Sequence, residues 1–275
     1  MALDIKICGL KTEEAVDAAL DGGANHIGFI FFEKSPRHVD RQVARELAMS
    51  ARRRLAIPVA VTVDADDTTL AEIVATVEPG MLQLHGKENP TRVADIRAKF
   101  GLPVIKALSI READDLKAIE PYYGIADRFL LDAKPPKGSD LPGGNGVSFD
   151  WSLLGALDGK TNYMLSGGLD ADNVGEALAI SGAKALDVSS GVESAPGVKD
   201  INRIAAFLKA ARAADASSRP RRGSCAPLAS NSSEPSRPAS AASLTPRTTS
   251  PAPSALETIS LSVVANRSLT SAGAS

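Results

Sequence analysis

Eight short apolar runs with β-forming residues punctuate the first 215 positions. They are residues 5–8, 26–31, 59–63, 81–85, 104–108, 128–132, 163–166 and 185–189. Between them lie stretches with helical ends. Thr12 is placed to cap a helix that runs to Leu20 and stops at Gly22-Gly23, and Asp170 to cap another that stops near Gly182. The segments DAALDGGANHIGF and GEALAISGAKALDV share one layout: helix end, Gly-Ala, strand. Strand–helix alternation repeated eight times predicts an α/β protein built as a single (β/α)8 TIM barrel. A length of ~215 residues suits the short end of that fold's range of roughly 200–400. An open doubly wound sheet is the structural rival. It normally carries GxGxxG after its first strand, where this chain has CGLKTEE.

Alternation along the strands then picks out a polar set on one face. Lys6 and Cys8 lie two apart, as do Gln83 and His85, Leu130 and Asp132, and Asp187 and Ser189. A barrel interior is mostly aliphatic, so polar residues at the last inward position of several strands mark its C-terminal mouth, where barrel active sites sit.

Each candidate has a plain reading beside the chemical one. Cys8 is either a small buried hydrophobe or a thiolate that takes a proton at a strand end. Asp132, after Phe129-Leu130-Leu131, is either a cap or ion-pair partner of Lys134, or an acid that would form a proton-moving pair with Cys8 across the mouth. Arg37, in SPRHV, is either a solvated loop residue or a fork for a carboxylate. His85 closes LQLHG as a core residue, a ligand contact or a general acid, and nothing at metal-ligand spacing accompanies it. The loops holding Gly167 and Gly168, and Ser189, Ser190 and Gly191, follow strands seven and eight, where barrels often hold phosphate on backbone N–H groups. Residues 134–146, KPPKGSDLPGGNG, form a long Gly/Pro-rich loop after Asp132: a lid or a tolerated insertion.

Composition changes near residue 215. Residues 216–275 are mostly Ser, Ala, Pro and Thr, and their six Arg and two Glu give +4, leaving −6 on the first 215. The expected organisation is a catalytic barrel over 1–215 and a disordered tail over 216–275, the tail being a dispensable extension or, less simply, a basic docking segment. Only 4% of residues are aromatic and the net charge is −2, which speaks against nucleic-acid binding. The start MALDIKICGL lacks a signal-peptide pattern, no apolar run is long enough to span a membrane, and Cys8 and Cys225 make no disulfide or zinc framework. A cytoplasmic protein without membrane partners is expected.

The ordered set KICGLK, FFEKSPRHV, LQLHG, LLDAK, GGNG, LSGGLDADNV and DVSSGVE closely resembles the phosphoribosylanthranilate isomerase family of tryptophan biosynthesis, over about residues 4–210. The resemblance implies an Amadori rearrangement of N-(5-phosphoribosyl)anthranilate to 1-(2-carboxyphenylamino)-1-deoxyribulose 5-phosphate, with no metal or cofactor. It implies Cys8 as general base, Asp132 as general acid, Arg37 on the anthranilate carboxylate and His85 in the binding site. Phosphate would be held by the backbone around Gly167, Gly168, Ser189, Ser190 and Gly191. The partner is then a small phosphorylated substrate, and the chain works as a monomer or homodimer. Other phosphate-binding barrels, a synthase with a Lys acid or a metal-dependent epimerase, fit these strand ends less well. A non-catalytic sugar-phosphate binder would have no need of Cys8 or Asp132.

Overall fold

The computed structural model describes residues 2–134, 143–144 and 146–218. The tail from 219 onward, and with it Cys225, lies outside the described residues, as does most of the loop after Asp132.

Eight parallel strands close into a barrel: β1 Asp4–Cys8, β2 His26–Phe31, β3 Ile57–Thr62, β4 Met81–Leu84, β5 Val104–Ile110, β6 Arg128–Ala133, β7 Tyr163–Leu165 and β8 Ala185–Val188. All eight predicted runs are strands. β1 pairs with β2 on one side and β8 on the other, so the barrel closes between its first and last strands. The runs read as apolar because each is packed twice. One face fills the interior with Val59, Val61, Ile105, Ala107, Leu130 and Met164. The other meets the helices through residues such as Ile5, Ile7, Phe29 and Leu131.

Five connections are α-helices, α1 Glu13–Asp21, α2 Arg41–Arg53, α3 Asp67–Val77, α4 Pro90–Phe100 and α5 Val174–Ser181, and a sixth helix, α6 Ile201–Ser218, follows the last strand. Thr12 caps α1 as predicted, accepting from the Ala15 N–H. Asp40, Asp66 and Asn89 cap the next three, with Pro90 at the first turn of α4. Asp170 does not cap α5. It accepts from the N–H groups of Asp172 and Asn173, closing a turn ahead of the helix, and α5 starts only at Val174. Gly182 ends that helix in the left-handed conformation, as read. After β5 and β6 the connections are 3₁₀ segments, Ala113–Tyr122 and Trp151–Ala156, and Pro121 inside the first removes an N–H that an α-helix would use.

α6 crosses the composition break at 215. Its Asp215 carboxylate accepts from the Leu3 N–H at 3.3 Å, and Arg212 donates to the carbonyls of Leu3 and Gly23. Leu208 packs so closely on Gly22 that a Cβ there would stand 2.3 Å from its Cδ1. The end of the helix therefore fastens the start of β1, and a barrel cut at Ala214 would lose the Asp215 contact.

At the floor of the barrel Asp4, His26 and Arg128 meet. Arg128 Nη1 donates to Asp4 Oδ2 at 2.6 Å. His26 Nδ1 lies 3.0 Å from Asp4 Oδ1. Burial works to raise the Asp4 carboxyl, but His26 and Arg128 outweigh it and hold it below the usual carboxylate range.

Candidate active site

The opposite end of the barrel opens into a cavity of roughly 750 Å3, counting its open side. Cys8, Asp132, Arg37, His85, Gly167, Gly168, Ser189 and Ser190 all line it. Eight of the nine residues singled out in the sequence thus come together from six different strand ends and loops.

Cys8 ends β1 on the inward face, 4% exposed, directly across the register from Gly28. A Cβ on Gly28 would stand 2.8 Å from Cys8 Sγ and 3.1 Å from Lys6 Cε, so only glycine leaves room for both side chains. Lys6, one turn of the pleat below, is fully buried and donates to Asp187 Oδ1 at 2.7 Å. Burial pushes the Cys8 thiol up, and Asp187 pushes the same way, against the pull of Lys6 and Lys199 toward the thiolate. Burial also works against the Lys6 ammonium, but Asp187 and Cys8 outweigh it and hold its pKa above the ordinary lysine value. The thiol thus rests neutral beside a fixed cation.

Asp132 sits at the end of β6, 5% exposed. Its Oδ1 accepts from the Ala133 N–H at 2.9 Å, and its Oδ2 lies 3.6 Å from His85 Nε2, beyond hydrogen-bond length. The Lys134 partnership considered for it does not form: Lys134 pairs with Asp115.

Arg37 departs furthest from expectation. It is buried, not solvated, and its fork is already engaged. Nε and Nη2 donate to the two oxygens of Glu193 at 2.8 and 2.9 Å, and Nη2 also reaches the Gly144 carbonyl at 3.1 Å. The two-point contact predicted for a ligand carboxylate is thus made inside the protein. Nη1, which has no partner among the described residues, remains for the cavity. Glu193 opens a short hairpin, Glu193–Ala195 with Val198–Lys199, and Lys199 Nζ donates to Glu193 Oε1 at 2.8 Å and to the Ser189 carbonyl at 2.8 Å. Burial lowers the Lys199 pKa despite Glu193. Arg37 and Lys199 together overcome burial at Glu193 and keep that carboxyl below its usual range.

Gly191 is the one predicted site residue that does not line the cavity. A Cβ there would stand 1.8 Å from the Leu169 carbonyl oxygen. Its work is to let the loop after β8 press against the loop after β7, which leaves Gly167, Gly168, Ser189 and Ser190 on the cavity side. Ser189 also donates from Oγ to the Cys8 carbonyl at 3.1 Å, tying the loop after β8 to β1.

Alternation had put Lys6, Gln83 and Asp187 on the inward face without giving them work. Glu193 and Lys199 were assigned none, because a hairpin folded back onto a loop leaves no periodic signal. The only trace was the Glu of DVSSGVE in the family-like motif.

Residues 5–210 match the family model described as N-(5'phosphoribosyl)anthranilate (PRA) isomerase. The N-(5'-phosphoribosyl)anthranilate isomerase of Brucella canis is 66% identical over 220 residues, covering 80% of this chain and 98% of that protein. Among solved structures, phosphoribosyl anthranilate isomerase from Thermotoga maritima matches with a TM-score of 0.69 at 31% identity, covering 77% of this chain and 99% of that one. A phosphoribosyl anthranilate isomerase in complex with reduced 1-(O-carboxyphenylamino)-1-deoxyribulose 5-phosphate matches with a TM-score of 0.67 at 30% identity, over 77% of this chain and 99% of that one.

Proposed function

The chain belongs to the N-(5'-phosphoribosyl)anthranilate isomerase family, and on that premise we propose that Cys8 and Asp132 divide the proton transfers of its reaction. The enzyme acts in tryptophan biosynthesis. It catalyses the Amadori rearrangement of N-(5-phosphoribosyl)anthranilate to 1-(2-carboxyphenylamino)-1-deoxyribulose 5-phosphate.

The observation that carries the division is a buried thiol and a buried carboxyl opening on one cavity, with the Lys6 ammonium beside the thiol only. Asp132, in its acid form, gives a proton to the furanose ring oxygen as the C1–O bond breaks and the anilino nitrogen forms the Schiff base. That cation makes the C2 proton acidic. Cys8, as thiolate, removes it, and the bonding pair moves to give the enolamine, which tautomerises to the ketone as C1 takes a proton and the C2 hydroxyl gives one up. Lys6 offsets the thiolate's charge while the proton is awaited.

Arg37 takes one oxygen of the anthranilate carboxylate through Nη1, held in place by Glu193, and His85 lines the same binding site. The backbone at Gly168 and Ser190, with Gly167 and Ser189, holds the phosphate, and Gly191 supports them from behind. Every group named comes from one chain, so a monomer suffices and a homodimer would carry two complete sites. The Thermotoga maritima relative is described as dimeric. A base that must remain a free thiol suits the reducing cytoplasm. No helix among the described residues is long and apolar enough to cross a membrane.

Exchange of the ribose C2 proton with solvent tests the assignment. Cys8→Ser should abolish exchange in a pre-opened Schiff-base analogue, whereas Asp132→Asn should leave it largely intact. Equal loss in both variants would overturn the division of labour.

A further inference from the structure

Beneath His85, one turn of the pleat down β4, lies Gln83, fully buried. Its Nε2 is 3.0 Å from His85 Nδ1, and its Oε1 has no partner among the described residues. The alternative amide orientation would set Oε1 against Nδ1 and turn both amide hydrogens to the buried place where Oε1 has no partner among the described residues. Unpaired buried N–H groups are rarer than under-satisfied carbonyls, so the orientation with Nε2 toward the ring is favoured. An N–H aimed at Nδ1 needs a lone pair there, which puts the ring proton on Nε2. That is the nitrogen 3.6 Å from Asp132 Oδ2. The peptide at Gly143 passes close over the pair: a Cβ there would stand 2.6 Å from both His85 Nε2 and Asp132 Oδ2.

We propose that Gln83 is a positioning residue that fixes His85 in its Nε2–H tautomer, so that the imidazole donates to the Asp132 carboxylate left after proton transfer. This rests on Asp132 being the acid. Before transfer the pair is loose. Afterwards the new carboxylate draws the N–H in by about 0.7 Å, to the 2.9 Å of a charge-assisted bond, a tightening that catalytic pairs commonly undergo during turnover.

The chain has only three histidines, so the tautomer can be read directly. Enzyme labelled with ¹⁵N-histidine is examined at about pH 8.5, above the ordinary imidazole range near 6.5, with the His85 signals assigned by their loss in His85→Asn. His85 Nδ1 should show the shift of an unprotonated nitrogen and Nε2 that of a protonated one. Gln83→Met, close in size but without the amide, should mix the tautomers and lower kcat by roughly ten- to a hundredfold with KM changed less than about threefold, by analogy with residues that orient other catalytic side chains. Gln83→Glu should move the proton to Nδ1. A protonated Nδ1 in the wild type overturns the proposal, as does a fall in kcat without a change of tautomer, or a change of tautomer without a fall in kcat. If Gln83→Met does not fold, the wild-type spectrum decides. Asp132→Asn separates the two readings: near-normal turnover there removes the acid and the catalytic half of this proposal, while the tautomer is still tested on its own.

Discussion

Strands β1 and β6 each carry an ionisable side chain at both ends of the barrel. At the floor, Asp4 of β1 and Arg128 of β6 bond to each other at 2.6 Å. At the mouth, Cys8 and Asp132 of the same two strands make no bond to each other and face a cavity instead. The floor spends its charges on closing the barrel. At the mouth, burial works against the thiolate while Lys6 and Lys199 favour it, so the groups stand ready for a substrate to change their state. The same two strands thus hold bonded charges at one end and open on the cavity at the other, and the difference lies in which partners the charges are given.

Breaking the mouth should cost rate and leave the fold. Cys8→Ser and Asp132→Asn should each lower kcat by ~10²–10⁴-fold, the usual worth of a general base or acid. Affinity for a reduced product analogue and the melting temperature should remain near wild type. A Cys8→Ser enzyme of normal turnover would return Cys8 to its packing role. Arg37→Ala should act on binding. Losing a desolvated charge contact typically costs on the order of 2–5 kcal/mol, and since only Nη1 is left for the ligand, the lower end is expected. Because the change also strands Glu193, stability must be measured alongside. A substrate analogue lacking the carboxylate should bind equally to both enzymes, and a matching loss with that analogue would show that Arg37 serves the protein rather than the ligand.

The pH profile sharpens the contrast. A base must be deprotonated, and burial holds the Cys8 thiol above its ordinary value near 8.5. Exchange of the C2 proton in a pre-opened Schiff-base analogue, which does not call on the Asp132 acid, should therefore climb from neutral into alkaline pH, by up to about tenfold per unit, and Lys6→Gln should shift that rise to higher pH. A flat exchange profile from pH 7 to 9 would exclude a resting thiol as the base.

At the floor the signs reverse. Asp4→Asn should lower stability at neutral pH by about 1–3 kcal/mol, less than a fully buried pair would cost, and leave turnover within about twofold. The Asp4 carboxyl is depressed in the folded state, so its contribution is complete above the unfolded value near 3.9 and disappears as pH falls through the folded one. Urea midpoints of wild type and variant should accordingly differ at pH 7 and converge in acid. A gap that persists at pH 2 would assign the loss to packing.

The sequence made the barrel legible because strands packed on both faces read as unbroken apolar runs, and because caps such as Thr12 and stops such as Gly182 act locally. It made Cys8, Asp132 and His85 legible because period-two alternation carries them to one face. Local rules failed where distant segments compete. Asp170 bonds a turn instead of a helix, and Arg37 meets Glu193 across 156 residues of chain. α6 passes residue 215 because its Ala-rich last turns are good helix formers, although their composition blends into the tail.

The seam between β1 and β8 also sets an order of events during synthesis. Lys6 and Asp187 sit on opposite sides of it, and Arg212 and Asp215 secure it from the far end of α6. At roughly 5–20 residues per second, β1 waits on the order of 10–40 s for these partners. The amino-terminal strand is thus the first made and among the last enclosed, and the Cys8 thiol stays in reach of solvent until the chain is nearly complete. Nascent chains stalled before Ala185 should have Cys8 readily alkylated, and chains extended far enough to release Ser218 should protect it. Early protection would mean that β1 finds cover before its natural neighbour exists.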